Sequence, residues 1–135
     1  MEAVDRIRAI NATAAFNRFY GIEVLSAGEG QAEIGMPWRD EAGQYSGFLH
    51  AGMVGALIDT ACGFAAATLS GRVLASHYSV NCLRPAVGER FVARARVVKP
   101  GKTQVFTACE LYAQADGEEK LVATGETLLL VVEGQ

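Results

Sequence analysis

The chain has 135 residues, half of them hydrophobic, and fifteen acidic against twelve basic side chains leave a net charge of −3. That length fits one domain (residues 1–135), and the apolar half is enough for a core, which excludes a disordered chain. An acidic balance with no Lys/Arg run gives no electrostatic footprint for nucleic acid, and the longest apolar stretch, around residues 61–69, falls short of the roughly 20 residues that span a membrane.

Val4, Ile7, Ile10 and Ala14 recur at helical spacing, which predicts an amphipathic helix over residues 3–19 that Gly21 ends. The charges within it break up any signal-peptide core. Two strands follow, residues 22–26 and 31–38, joined at Gly28-Glu29-Gly30, with Ala32, Ile34 and Met36 alternating to one face. A polar, glycine-containing loop runs from Arg39 to Leu49. From Ala51 to Leu69 the chain is apolar all round, with many small residues, so this helix is expected to be buried and closely approached by a sheet. Four more strands are predicted at residues 76–83, 91–99, 103–113 and 121–132, and the last three have short connections that require antiparallel neighbours. The order predicts an α+β fold, an antiparallel sheet wrapped around one long central helix. Cys62, Cys82 and Cys109 are odd in number, widely spaced and without a CxxC pair, and read as buried reduced thiols in a cytoplasmic protein.

The chemistry concentrates between Gln44 and Asp59. Asp59 falls in mid-helix among Leu57, Ile58, Ala61 and Cys62, where an ionised carboxylate is costly without a partner. The helix carries no other charge between His50 and Arg72, so no polar stripe accounts for this aspartate. His50 stands just before the helix, either as a plain loop residue or as part of a site. The first N–H groups, at Ala51, Gly52 and Met53, lack intrahelical acceptors and carry the positive end of the dipole. Such a terminus polarises a carbonyl and stabilises an oxyanion. Ala51 and Asp59 are separated by roughly 12 Å of helix at about 1.5 Å per residue, too far to meet on one reacting carbon. A site using both needs the carboxylate of one copy near the helix terminus of another, across a two-fold interface.

Gln44, six residues later His50-Ala51-Gly52, and Asp59 nine residues after the histidine resemble the signature of the hotdog thioesterases, in their phenylacetic-acid-degradation (PaaI-type) branch. The run Ser79-Val80-Asn81-Cys82-Leu83-Arg84-Pro85-Ala86 is similar to that family's strand end, and Val122-Ala123-Thr124-Gly125 to its closing strand. The resemblance covers nearly the whole chain. It implies the hotdog fold, dimerised through the sheet and often paired again into a homotetramer, and an acyl-CoA thioesterase acting on a small aromatic or medium-chain acyl-CoA. Asp59 is then nucleophile or general base, the Ala51 N–H holds the thioester oxygen, Gln44 orients the water or acyl group, and His50 fixes the loop. Coenzyme A belongs to the substrate, so no separate cofactor is expected. Its phosphates are assigned to Arg84, Lys99 and Lys102, each of which also reads as a solvated charge.

Two departures stand out. The first glycine of the His-Gly-Gly pattern is Ala51, which keeps its backbone donor at negative φ. Gly63 stands one turn beyond the carboxylate where some members carry a hydroxyl, leaving Thr60, Ser76 or Ser79 to supply one. Tyr45, Phe48 and Tyr78 read as core residues or acyl-pocket walls. A hotdog hydratase would need a Pro-Gly pair before the helix, which is absent. A non-catalytic acyl-CoA-binding module is the alternative, but it has no need of an acid at 59. Two histidines, neither at ligand spacing from another good ligand, indicate no metal site.

Overall fold

The computed structural model describes residues 1–132; residues 133–135, the end of the expected domain, lie outside the described residues. The N-terminal helix is two helices, α1 (Ala3–Thr13) and α2 (Ala15–Tyr20), broken where Ala14 turns extended. The cause is local competition for backbone groups: the Thr13 hydroxyl donates to the Ile10 carbonyl at 2.7 Å, and the Asn11 amide donates to Ile22 at 2.9 Å. Gly21, in the left-handed conformation, closes α2.

β1 (Glu23–Gly28) and β2 (Gln31–Pro37) form a hairpin through Glu29-Gly30, both at positive φ as a tight two-residue turn requires. Ala32, Ile34 and Met36 all face the core. Residues 38–50 form a loop with two short 3₁₀ turns, pinned by a bridge between Gly43 and Leu49. Helix α3 (Ala51–Ser70) follows, and then β3 (Val73–Cys82), β4 (Arg90–Lys99), β5 (Gln104–Ala115) and β6 (Glu118–Val131). The six strands form one sheet in the order β1-β2-β4-β5-β6-β3, every pair antiparallel. This is the hotdog arrangement, with α3 packed against all six strands of the sheet.

Helix α3, at 20 residues, is long and apolar enough by length and composition to cross a membrane, unlike the shorter run picked out in the sequence. Its apolar surface is instead spent on the sheet: Met53, Val54, Leu57, Ile58, Ala61, Cys62, Ala65 and Ala66 are buried. Two glycines let the sheet come close. A Cβ on Gly125 of β6 would lie 2.7 Å from Ile58 Cγ2, and one on Gly55 would lie 3.2 Å from the Tyr78 ring of β3.

The two sheet edges differ. On β1, the Arg8 side chain donates to the Val24 carbonyl at 3.2 Å, and Asn11 holds Ile22 just before the strand. The outer edge of β3 has no such cover among the described residues, and the strand is exposed along nearly its whole length. A long uncovered edge strand is a ready template for pairing with another chain.

Candidate active site

The start of α3 is built by His50. Its Nδ1 accepts the Gly52 N–H at 2.8 Å, and its carbonyl accepts the N–H groups of Met53 and Val54 at 2.9 and 3.0 Å. The donors expected to be open at Gly52 and Met53 are therefore engaged, and within the first turn only the Ala51 N–H has no such acceptor among the described residues. Ala51 and Gly52 are both exposed, so nothing among the described residues covers that terminus. Gln44 braces the loop below it. Its backbone N–H donates to Phe48 at 2.7 Å and its side-chain amide to Leu49 at 3.3 Å, while His50 N–H donates to Ala42 at 2.9 Å.

Asp59 lines a cleft of about 1140 Å³. The cleft runs between α1 and the second half of α3, with β3 and β6 along its far wall. Asp59 Oδ1 is fully enclosed and has no hydrogen-bond partner among the described residues. Burial therefore holds the Asp59 carboxyl above the usual aspartate value, because the charged form loses water and gains no donor. An unpartnered carboxylate beside a cavity is a strong base with room for a proton donor next to it.

Other expected residues fall apart or into other roles. Arg84 donates its N–H to Val122 of β6, whereas Lys99 pairs with Phe106, which pairs with Leu128. The six-residue step along β6 separates these levels by roughly 20 Å at about 3.3 Å per residue. Within one chain Arg84 and the Lys99–Lys102 turn do not form a common phosphate site. The Ser76 hydroxyl is committed to the Leu128 carbonyl at 3.2 Å, and of the three candidate hydroxyls Thr60 is the one that lines the cleft. Tyr45 is 79 % exposed and Tyr78 50 %, so neither is a core residue, although Tyr78 still leans on Gly55. Cys62 and Cys109 are buried as expected, but Cys82 is exposed near the end of the edge strand. The cleft walls from α1 and α2, notably Ile10 and Asn17, were not singled out as site residues in the sequence; the only signal was that Ile10 belongs to an amphipathic stripe whose partner was unknown. Among the described residues, no three His, Cys, Asp or Glu side chains gather as metal ligands would.

A half-buried acid in mid-helix with one enclosed carboxylate oxygen, and an exposed helix terminus, lie together in a hotdog sheet, and comparison with known proteins gives the class of thioester-cleaving enzymes. Residues 46–120 match the thioesterase superfamily, and the chain belongs to that family. The chain is similar to a thioesterase family protein from Silicibacter pomeroyi, at 38 % identity over 96 % of this chain and 97 % of that one, with a TM-score of 0.92. It is 33 % identical to acyl-coenzyme A thioesterase 13 of Homo sapiens over 88 % of this chain and 86 % of that protein. The PaaI protein of the E. coli phenylacetic acid degradation operon superposes with a TM-score of 0.89 at 25 % identity, covering 98 % of this chain and 95 % of that one. The protein is thus a thioester hydrolase of the PaaI-like hotdog type.

Proposed function

We propose that this single-domain protein hydrolyses acyl-CoA thioesters to the free acid and CoA, with Asp59 as the reacting carboxylate. The observation that carries this reading is the enclosed, unpartnered Oδ1 of Asp59, a residue that lines a substrate-sized cleft. As general base, the carboxylate takes a proton from water while the water oxygen attacks the thioester carbon. The C–S bond then breaks and the thiolate of CoA leaves. As nucleophile, the same oxygen attacks directly, and water cleaves the resulting anhydride.

The carbonyl oxygen gains charge in either route and needs a donor. The Ala51 N–H at the positive end of α3 is suited to the task, with His50 and Gly52 holding the turn and Gln44 the loop. Because Ala51 and Asp59 of one helix are about 12 Å apart at ~1.5 Å per residue, the donor belongs to a second copy. Pairing of the uncovered β3 edge between two copies is the natural two-fold contact, as a homodimer or within a homotetramer. Arg84, Lys99 and Lys102 take the CoA phosphates only insofar as the second copy brings the two levels of the sheet together.

The test is thiol release from a panel of aromatic and aliphatic acyl-CoAs, with wild type and Asp59→Asn. Wild type should turn over at least one member, and the variant should lose at least about a hundredfold in kcat, the low end for a general base. Tight binding without thiol release by wild type would make the protein a binding module instead.

A further inference from the structure

Gly63 lies one turn beyond Asp59 on the cleft side of α3. Glycine inside a helix is destabilising relative to alanine, so its presence calls for a reason. Packing supplies none. A Cβ at Gly63 would meet only Leu129 Cδ2, at 3.8 Å, which is ordinary contact. The backbone supplies none either, since Gly63 is not among the residues at positive φ. Gly55 and Gly125 are different, because a Cβ there would crowd Tyr78 or Ile58. What the missing side chain at 63 does is leave the cleft open beside the carboxylate.

The same cleft continues past Phe64 and Ala67 to Gly71, so its floor follows α3 from Asp59 to the end of the helix. That is about 18 Å, at about 1.5 Å per residue. Ile10 forms part of the α1 wall and Leu129 part of the sheet wall. The roof is held down by Arg6, whose guanidinium donates to the Ala67 carbonyl at 3.1 Å. The groove is long and mostly apolar, with the Asp59 carboxylate at the start of its α3 floor. An extended alkyl chain advances roughly 1.25 Å per C–C bond of about 1.5 Å, so about fourteen carbons match the groove. A single aromatic ring would leave most of it empty.

Resting on the reading of Asp59 as the reacting group, we infer that this groove takes the acyl chain of a long aliphatic acyl-CoA, and that Gly63 is the residue that admits it. The thioester lies at Asp59, the chain runs along α3 towards Gly71, and the CoA moiety leaves in the opposite direction.

The experiment compares kcat/KM for butanoyl-, octanoyl-, dodecanoyl-, hexadecanoyl- and phenylacetyl-CoA, using wild type, Gly63→Ala and Gly63→Leu. Wild type should favour dodecanoyl- or hexadecanoyl-CoA over phenylacetyl-CoA. Gly63→Leu should lower the hexadecanoyl-to-butanoyl ratio by at least about tenfold, the low end of what a filled methylene site discriminates. Gly63→Ala should shift it in the same direction by less. In parallel, calorimetry with Asp59→Asn should find hexadecanoyl-CoA bound more tightly than CoA alone, and the added Gly63→Leu should remove that difference. A preference for phenylacetyl-CoA, or an unmoved ratio in both folded Gly63 variants, would overturn the inference while leaving Asp59 in place. Full turnover by Asp59→Asn would instead overturn the reading of the site, and the calorimetric comparison would still decide whether the groove holds the chain.

Discussion

The Nδ1 atom of His50 accepts the Gly52 N–H at 2.8 Å, so the histidine acts as the N-cap of α3 as well as a loop residue. This bond satisfies one of the donors a helix start leaves over, and it fixes the direction of the neighbouring Ala51 N–H. Replacing His50 by Ala removes the acceptor and should cost about 1 kcal/mol, the usual cost of losing a cap. His50→Asn offers an oxygen in a similar place and should recover most of it. Urea unfolding of the three proteins checks this; equal midpoints for Ala and wild type would mean that the cap contributes nothing.

Asp59 should make both activity and stability depend on pH. Its folded carboxyl titrates above the ordinary aspartate value because burial disfavours the charge. Between the unfolded and folded values the native state binds the extra proton, so stability falls as pH rises through that window. The penalty is complete above the folded value and absent below the unfolded one. Asp59→Asn should therefore be more stable than wild type at neutral pH, with the gap closing in acid. Activity should move the opposite way, rising with pH as the carboxylate forms. Parallel thermal melts and rate profiles across the acid range test both signs; a pH-independent stability gap would show that the charge of Asp59 is not the cause.

The fold was legible because periodicity reports burial, and burial is what a hotdog sheet arranges. Ala32, Ile34 and Met36 alternate in the sequence and all end in the core. The break at Ala14 was not legible, because the apolar spacing of Val4, Ile7, Ile10 and Ala14 continues across it while side-chain hydrogen bonds from Asn11 and Thr13 decide the backbone. The early start of β3 at Val73 was missed for a related reason: an edge strand with one uncovered side carries little alternation. In the site, Asp59 was legible as a charge without a polar stripe. The occupation of the Gly52 donor was not, since it depends on a histidine rotamer rather than on spacing. Nor could spacing show that Arg84 and Lys99 lie at levels of the sheet six residues apart along β6, which only the strand register fixes.

Three glycines make a stability contrast. Gly125→Ala places a Cβ 2.7 Å from Ile58 Cγ2 and 2.7 Å from the Ser79 carbonyl oxygen. Overpacking of that kind should cost about 1–3 kcal/mol. Gly55→Ala meets the Tyr78 ring at 3.2 Å, and that ring is half-exposed and able to move, so the loss should be smaller. Gly63→Ala meets Leu129 Cδ2 only at 3.8 Å and should gain up to about 1 kcal/mol of helix propensity. Thermal melts of the three variants should give that order, and a destabilised Gly63→Ala would show that the position is constrained by packing after all.

The shared site is tested by pairing two damaged chains. If Asp59 of one copy works with the Ala51 N–H of another, each two-fold interface holds two sites, each built from both chains. One chain carries Asp59→Asn, which removes the carboxylate. The other carries Ala51→Pro, which removes the backbone donor at a helix position where proline is otherwise tolerated. Each homodimer has two broken sites and should be nearly inactive. In a mixed dimer one site receives both lesions and the other receives neither, so one of two sites works. Random mixing makes about half the dimers mixed, and roughly a quarter of wild-type activity should return under the isologous arrangement. Unfolding curves and a tag-based separation of mixed dimers must first show that both chains fold and exchange. With mixed dimers in hand, activity no higher than the sum of the two inactive parents would mean that Asp59 and its oxyanion donor act within one chain.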